Sequence, residues 1–166
     1  MKRIFLIFCV LTMVLVSGCA EKTPPEPILD FSARITVDKA AFSEEFSVEA
    51  DITSTMQGAV SIRITTPDEI APLCYKWGES FDISLYEYTC RTNAGYLPPT
   101  SFAEGIYSAL YYLARNGECV SFRSGEAVFE GVCRSGRYRV TTDGDGVIKT
   151  IVVDEINLCV QFEYSK

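Results

Sequence analysis

The chain has 166 residues and a formal net charge of −7, from 15 Lys and Arg against 22 Asp and Glu, and it contains no histidine. An acidic chain is a poor partner for nucleic acid and does not dock electrostatically on anionic lipid. Without histidine, the commonest general base and the commonest zinc ligand are missing. We therefore predict that the protein is not an enzyme, with no catalytic residue, no metal site and no cofactor.

The N-terminus has the layout of an export signal. A basic head, Met1 to Arg3, precedes an apolar run from Ile4 to Val16 and then the small residues Ser17-Gly18. Cys19 follows directly, which resembles the lipobox of bacterial lipoprotein precursors. That resemblance implies cleavage before Cys19 and acyl chains on this residue, and two or more chains give lasting membrane attachment. The alternatives are an ordinary signal peptide and a single membrane anchor.

This pattern divides the chain into three parts. Residues 1–18 are the predicted signal peptide, and 19–29 are the lipidated cysteine with a proline-rich tether. Residues 30–166 are long enough for one domain with a real core. We expect the domain to face the extracytoplasmic side of the cell membrane, either on the outer surface or in a periplasm.

The cysteines beyond Cys19 carry no recognisable site. No CxxC spacing occurs among them, so neither a redox site nor a zinc site is indicated. We predict small, partly buried residues with zero to two disulfides, formed among Cys74, Cys90, Cys119, Cys133 and Cys159.

Apolar and polar residues alternate along most of the chain, which predicts strands with one dry face. Turn signals at short spacing separate the runs, so consecutive strands are expected to pair as antiparallel hairpins. About ten strands are predicted: 30–38, 43–54, 57–66, 73–77, 81–88, 118–123, 126–133, 136–142, 147–153 and 157–164.

One segment has helical spacing instead. Ser101 and Glu104 form a capping box, and Asn116-Gly117 supplies a stop, so a helix is predicted over 101–115. One helix cannot cover a flat sheet of ten strands. We therefore predict a mainly β fold in which a curved antiparallel meander forms an incomplete barrel, with the helix as its lid.

In this architecture the chain resembles the superfamily of the lipoprotein-localisation factors LolA and LolB. The resemblance covers roughly residues 30–165 and rests on the meander, the aromatic-rich strands, the inserted helix and the lipobox. Short pieces that also fit are 60–67, 131–138 and 160–162. It implies a half-barrel with a helical lid over a hydrophobic cavity. It also places Ile70 at the position of the apolar tip of a protruding loop in LolB.

The expected function is the binding or handling of a lipid or acyl chain in a groove between the curved sheet and the helix. The alternatives are a structural or interaction envelope lipoprotein with a fully packed core, and a hydrolase that works without histidine. The expected partners are the membrane, through acyl chains on Cys19, and an apolar ligand. The predicted groove is lined by Phe46, Val48, Ile62, Leu85, Phe102, Ile106, Leu110, Leu113 and Phe162.

Three further patterns have competing interpretations. Asp143-Gly144-Asp145-Gly146 resembles part of a calcium loop, but Val152 stands where an EF-hand needs glutamate, so a hairpin turn is predicted. Trp77 is interpreted as a core or rim aromatic in preference to a sugar-stacking platform. Tyr107, Tyr111 and Tyr112 are candidates for the mouth of a cavity or for ordinary amphipathic packing.

Overall fold

The computed structural model describes residues 23–41, 44–93 and 96–165, with the side chains of 39–41 and 44–46 outside that description. Within these residues the chain forms one antiparallel sheet, one α-helix, α1 (Phe102–Asn116), and one 3-10 turn (Asp154–Ile156). The sheet has eleven strands: β1 (Phe31–Ala41), β2 (Glu44–Ser54), β3 (Val60–Thr66), β4 (Cys74–Trp77), β5 (Phe81–Leu85), β6 (Tyr88–Thr92), β7 (Glu118–Arg123), β8 (Glu126–Cys133), β9 (Gly136–Asp143), β10 (Ile148–Val153) and β11 (Leu158–Glu163).

The order of the strands explains the position of the helix. Across the sheet they run β6-β5-β4-β3-β2-β1-β11-β10-β9-β8-β7, so the first and last strands of the chain pair at the centre. The two edges are β6 and β7, and α1 is the connection between them. One end of α1 therefore follows one edge of the sheet and the other end leads into the opposite edge. This confirms the predicted mainly β meander with a single inserted helix.

The predicted number of strands needs one correction. The stretch 81–88, expected as one strand, is the first part of the β5–β6 hairpin, in which Leu85 pairs with Tyr88 across a two-residue turn. Tyr86 takes a left-handed φ of +52° in this turn. Tight hairpin turns are normally marked by glycine or asparagine. Since neither occurs here, the turn could not be recognised from the sequence.

Period-two alternation places the apolar side chains on one face of the sheet. Ile52 pairs with Ile62, and Ile62 pairs in turn with Tyr75, so apolar residues line up across neighbouring strands. Ile62 is completely buried, whereas Arg63, its neighbour along the strand, points to the opposite face and is exposed. The core therefore lies between this face and α1.

The helix is capped as the sequence predicts, with one difference. The Ser101 hydroxyl accepts a hydrogen bond from the Glu104 backbone N–H at 3.3 Å. The Glu104 side chain does not complete the capping box. Instead, its Oε1 lies 3.2 Å from Nη1 of Arg134, on the turn between β8 and β9. Gly105 lets the helix approach the sheet closely, since a Cβ there would lie 2.8 Å from side-chain carbons of Ile156 and Leu158.

The segment before β1 belongs partly to the folded unit. The backbone N–H of Ile28 donates to the carbonyl of Gly146 at 2.8 Å, and Leu29 packs against the core. Gly146 has a φ of +86°, and a Cβ there would collide with the Glu26 carbonyl, so this crossing requires glycine. The domain's contacts thus begin before residue 30. The predicted signal peptide and Cys19 lie outside the described residues.

No helix in the described ranges is long and apolar enough to cross a membrane.

Candidate functional site

An open cleft of about 270 Å³ lies between residues 107–115 of α1 and the β2–β3 connection, and we call it the helix–hairpin cleft. The helix contributes Tyr107, Leu110, Tyr111, Ala114 and Arg115. The opposite wall consists of Leu29, residues 54–58 and Val60. The cleft therefore draws on three separated parts of the chain.

Helical periodicity builds the first wall. Tyr107, Leu110, Tyr111 and Ala114 are spaced i, i+3, i+4 and i+7, which places them on one stripe of the helix. This stripe runs beside the core stripe, and Leu110 belongs to both because it is 3% exposed and also lines the cleft. One face of the helix therefore packs against the sheet, and the adjacent face lines the cleft.

The β2–β3 connection forms the rim opposite the helix. The backbone N–H of Thr55 donates to the Ala59 carbonyl at 3.0 Å, and that of Gly58 donates to the Thr55 carbonyl at 2.8 Å. Gly58 takes a φ of +85°, which closes this turn. Met56 stands at the tip and is 81% exposed. Its flexible thioether side chain is suited to covering apolar surfaces of different shapes.

The aromatic part of the cleft is supported from behind. The Tyr107 ring stacks on Trp77 with centroids 4.7 Å apart and an interplanar angle of 6°, and Trp77 lies 4.8 Å from Phe81. Burial, the largest cause, raises the pKa of the Tyr107 hydroxyl above its ordinary value. Trp77 is only 3% exposed, so it is a core aromatic and not an open sugar-stacking platform.

Arg115 gives the cleft its charge. Its guanidinium carbon lies 3.6 Å from the centroid of the Tyr111 ring, and its Nη1 donates to the Tyr111 carbonyl at 3.1 Å. Arg115 is the one charged residue among the described residues that line the cleft. Because the chain as a whole is acidic, a cationic cleft is a local departure from the average surface.

The predicted groove residues fall into several different environments. Leu110 lines the cleft. Phe102 is half-buried and contacts Tyr75 edge-on, with ring centroids 6.0 Å apart. The following predicted residues are packed in the core at 0–7% exposure: Val48, Ile62, Ile106, Leu113 and Phe162. The side chain of Phe46 lies outside the described part of the chain.

Two positions need correction. Leu85 is 39% exposed because β5 carries it to the tip of the β5–β6 hairpin. Ile70, expected at an exposed loop tip, is half-buried and packs against the core. The apolar side chains that do protrude nearby are Tyr86 and Tyr88 of the hairpin, at 73% and 74% exposure.

Sequence reasoning found part of the cleft. Of the three tyrosines predicted at a cavity mouth, Tyr107 and Tyr111 line the cleft. Tyr112 does not line it and instead packs, partly buried, against the core. Arg115 was missed although its spacing, four residues after Tyr111, continues the same row along the helix. Leu29 was missed because the prolines before it suggested a free tether.

The remaining candidate sites have structural roles. Asp143 Oδ1 accepts hydrogen bonds from the backbone N–H groups of Asp145 and Val147 at 3.1 and 3.0 Å, and Lys149 lies 3.0 Å from its Oδ2. This is the predicted hairpin turn. The structure records no cluster of three or more metal-binding side chains within the ranges it describes. The five cysteines from Cys74 onward are free thiols.

These features define a class of protein, an incomplete antiparallel barrel bridged by one helix, with a small aromatic and apolar cleft at the flank of that helix. Among solved structures, the chain is similar to the crystal structure of the LolA superfamily protein NE2245 from Nitrosomonas europaea. The two are 10% identical, with a TM-score of 0.41 and 86% of each chain covered. No family model matches the chain, and no curated protein does.

Proposed function

We propose that this protein binds the apolar part of a lipid or other acyl-chain ligand in the helix–hairpin cleft. The observation that carries the proposal is the open space of about 270 Å³ between Tyr107, Tyr111 and the β2–β3 connection. Ligand pockets are typically concave, largely apolar and roughly 300–1,000 Å³ in volume. The cleft lies just below that range, so it suits a single chain or one part of a larger lipid.

The expected affinity follows from the area that such a chain buries. Each buried methylene contributes about 0.8 kcal/mol, so about ten of them give roughly the 8 kcal/mol of a micromolar complex. Loss of translational and rotational freedom lowers this gain. We therefore expect a Kd above about 1 μM for a chain of about ten methylenes, and weaker binding for shorter chains.

We further propose that the protein acts at the extracytoplasmic face of a membrane. The support is the pattern of a basic head, an apolar run, small residues and Cys19 at the N-terminus. Acyl chains on Cys19 would hold the domain near a source of lipid.

A packed core without a ligand is the second candidate. It is favoured by the residues between the helix and the sheet, because Val48, Ile62 and Ile106 are at most 1% exposed. In this case the protein is a structural or interaction lipoprotein, and the cleft is a surface depression.

One variant pair separates the two candidates. Ala114→Trp fills the cleft from an exposed helical position, whereas Asn116→Trp places the same side chain on the same helix away from the cleft. A fluorescent fatty acid titrated into the purified protein is expected to bind the wild type and Asn116→Trp with equal affinity. Binding to Ala114→Trp is expected to be about tenfold weaker, the loss of roughly two buried methylenes. No saturable binding to the wild type would favour the packed-core candidate.

A further inference from the structure

Arg115 gives the helix–hairpin cleft two chemically different ends. Tyr107 and Arg115 are eight residues apart on α1, about 12 Å along the helix axis at 1.5 Å per residue. At the Tyr107 end the cleft is bordered by Leu110 and backed by the buried Trp77. At the other end stands a guanidinium group. An apolar end and a cationic end about 12 Å apart match the polarity of an amphiphile with an anionic head.

The guanidinium is held in place and still has donors free. Stacking on the Tyr111 ring and the bond from Nη1 to the Tyr111 carbonyl fix its position. Guanidinium has five N–H donors in a planar fork that fits carboxylate and phosphate oxygens. Within the described part of the chain, Arg115 forms no ion pair with an acidic side chain. Its remaining donors are therefore available to a ligand.

The charge distribution points the same way. The chain carries 22 acidic residues, yet none of the described residues that line the cleft is acidic. Arg115 also lies in the last turn of α1, where a cation interacts favourably with the helix dipole. That interaction accounts for a basic residue at this position, but it does not account for the lack of acids across the cleft.

We propose that Arg115 is a specificity-determining residue that selects single-chain amphiphiles with an anionic oxygen head, such as a carboxylate or phosphate. The inference rests on the proposed function, since it adds a head-group site to the apolar cleft. The chain of the amphiphile lies along Tyr111 toward Tyr107, and its head accepts hydrogen bonds from the free edge of the guanidinium.

The test compares ligands that share one chain and differ in the head. Dodecanoate, dodecyl phosphate, uncharged monododecanoylglycerol and cationic dodecyltrimethylammonium are titrated below their micellar concentrations into the wild type, Arg115→Gln and Arg123→Gln. Arg123 is exposed and outside the cleft, so its variant controls for the loss of one positive charge. Arg115→Lys keeps the charge but loses the planar stacking. Melting temperatures verify that each variant is folded.

The wild type is expected to bind the two anionic ligands about fivefold more tightly than the uncharged one, the upper end for an exposed ion pair. The preference should shrink with added salt, disappear in Arg115→Gln and persist in Arg123→Gln. Arg115→Lys should keep part of it. The ratio of dodecanoate to dodecyl phosphate affinity identifies which head the site accepts.

Three outcomes overturn the inference, and they are distinguishable. Equal binding of all four ligands, unchanged in Arg115→Gln, leaves the apolar cleft in place and removes the head-group site. An equal loss for charged and uncharged ligands in Arg115→Gln assigns Arg115 a packing role only. No binding of any ligand to the wild type overturns the proposed function, and this inference with it.

Discussion

The substitution Leu110→Ala tests whether α1 packs against the sheet and whether the cleft beside it is open. Leu110 is 3% exposed and borders the cleft, whereas Ile106, one turn earlier, is completely buried. Buried Leu or Ile to Ala changes cost about 2–5 kcal/mol, and the cost rises with the volume of the cavity that remains. Ile106→Ala leaves a closed cavity, so we expect the upper half of that range. Leu110→Ala opens its space into the cleft, so we expect about 2–3 kcal/mol.

Urea unfolding followed by tryptophan fluorescence measures both losses. The chain has a single tryptophan, Trp77. Because Trp77 stacks on Tyr107 of α1, its fluorescence reports directly on the packing of the helix against the sheet. For a chain of this size, the loss at Leu110 corresponds to a fall in melting temperature of about 5–10 °C. Leu85→Ala, at 39% exposure, is the control and should cost less than about 1 kcal/mol. Losses near zero at both Ile106 and Leu110 would refute the packing of α1 against the sheet.

Three further predictions concern other parts of the molecule. Burial raises the pKa of the Glu104 carboxyl despite the nearby Arg134, so protonated Glu104 contributes its full stability below the ordinary pKa of 4.5 and loses that contribution as pH rises through the raised pKa. The free energy of unfolding of the wild type minus that of Glu104→Gln should therefore decline over that window. A difference that does not vary with pH would contradict this. Gly131→Ala should lower the free energy of unfolding by about 1–3 kcal/mol, because the new Cβ would lie 2.5 Å from the Tyr138 hydroxyl oxygen. An unchanged midpoint of urea unfolding would show that the Tyr138 ring moves freely. Cys19→Ser should abolish metabolic acyl labelling, and the protein should be released from the membrane fraction or mis-processed. Label that persists on the variant would exclude lipidation at this residue.

The sequence was sufficient for the sheet because its signals are local and repeated. Alternation over Val60 to Thr66 can only be satisfied by a strand with one buried face, and the turns marked by glycine divide most strands correctly. The β5–β6 turn was missed because Tyr86, and not a glycine, adopts the left-handed conformation there. Tertiary contacts must stabilise this conformation, and the sequence contains no signal for it. Helix α1 was predicted to within a residue because its cap and its apolar spacing agree.

The site was only partly predictable because periodicity shows which side chains share a face and does not show whether their volumes fill the space. Val48, Ile62 and Ile106 were correctly assigned to the inner face, but together with the helix they close the groove that they were expected to line. The opening lies one stripe around the helix, at Tyr107 and Tyr111. Its far wall comes from chain segments distant in sequence, which no pattern within the helix can reveal.

The position of α1 between the two edges of the sheet links the stability of the fold to the cleft. One flank of the helix supplies Ile106 and Leu110 to the core, and the adjacent flank supplies Tyr107, Tyr111 and Arg115 to the cleft. A ligand in the cleft would contact both the helix and the β2–β3 connection, so its binding energy would oppose separation of the helix from the sheet. Such a ligand stabilises the folded state by about 2.7 kcal/mol at a free concentration of one hundred times its Kd. An occupied cleft would therefore offset a loss of the size expected for Leu110→Ala, because a ligand that binds only the folded state raises the free energy of unfolding wherever the lost contact lies.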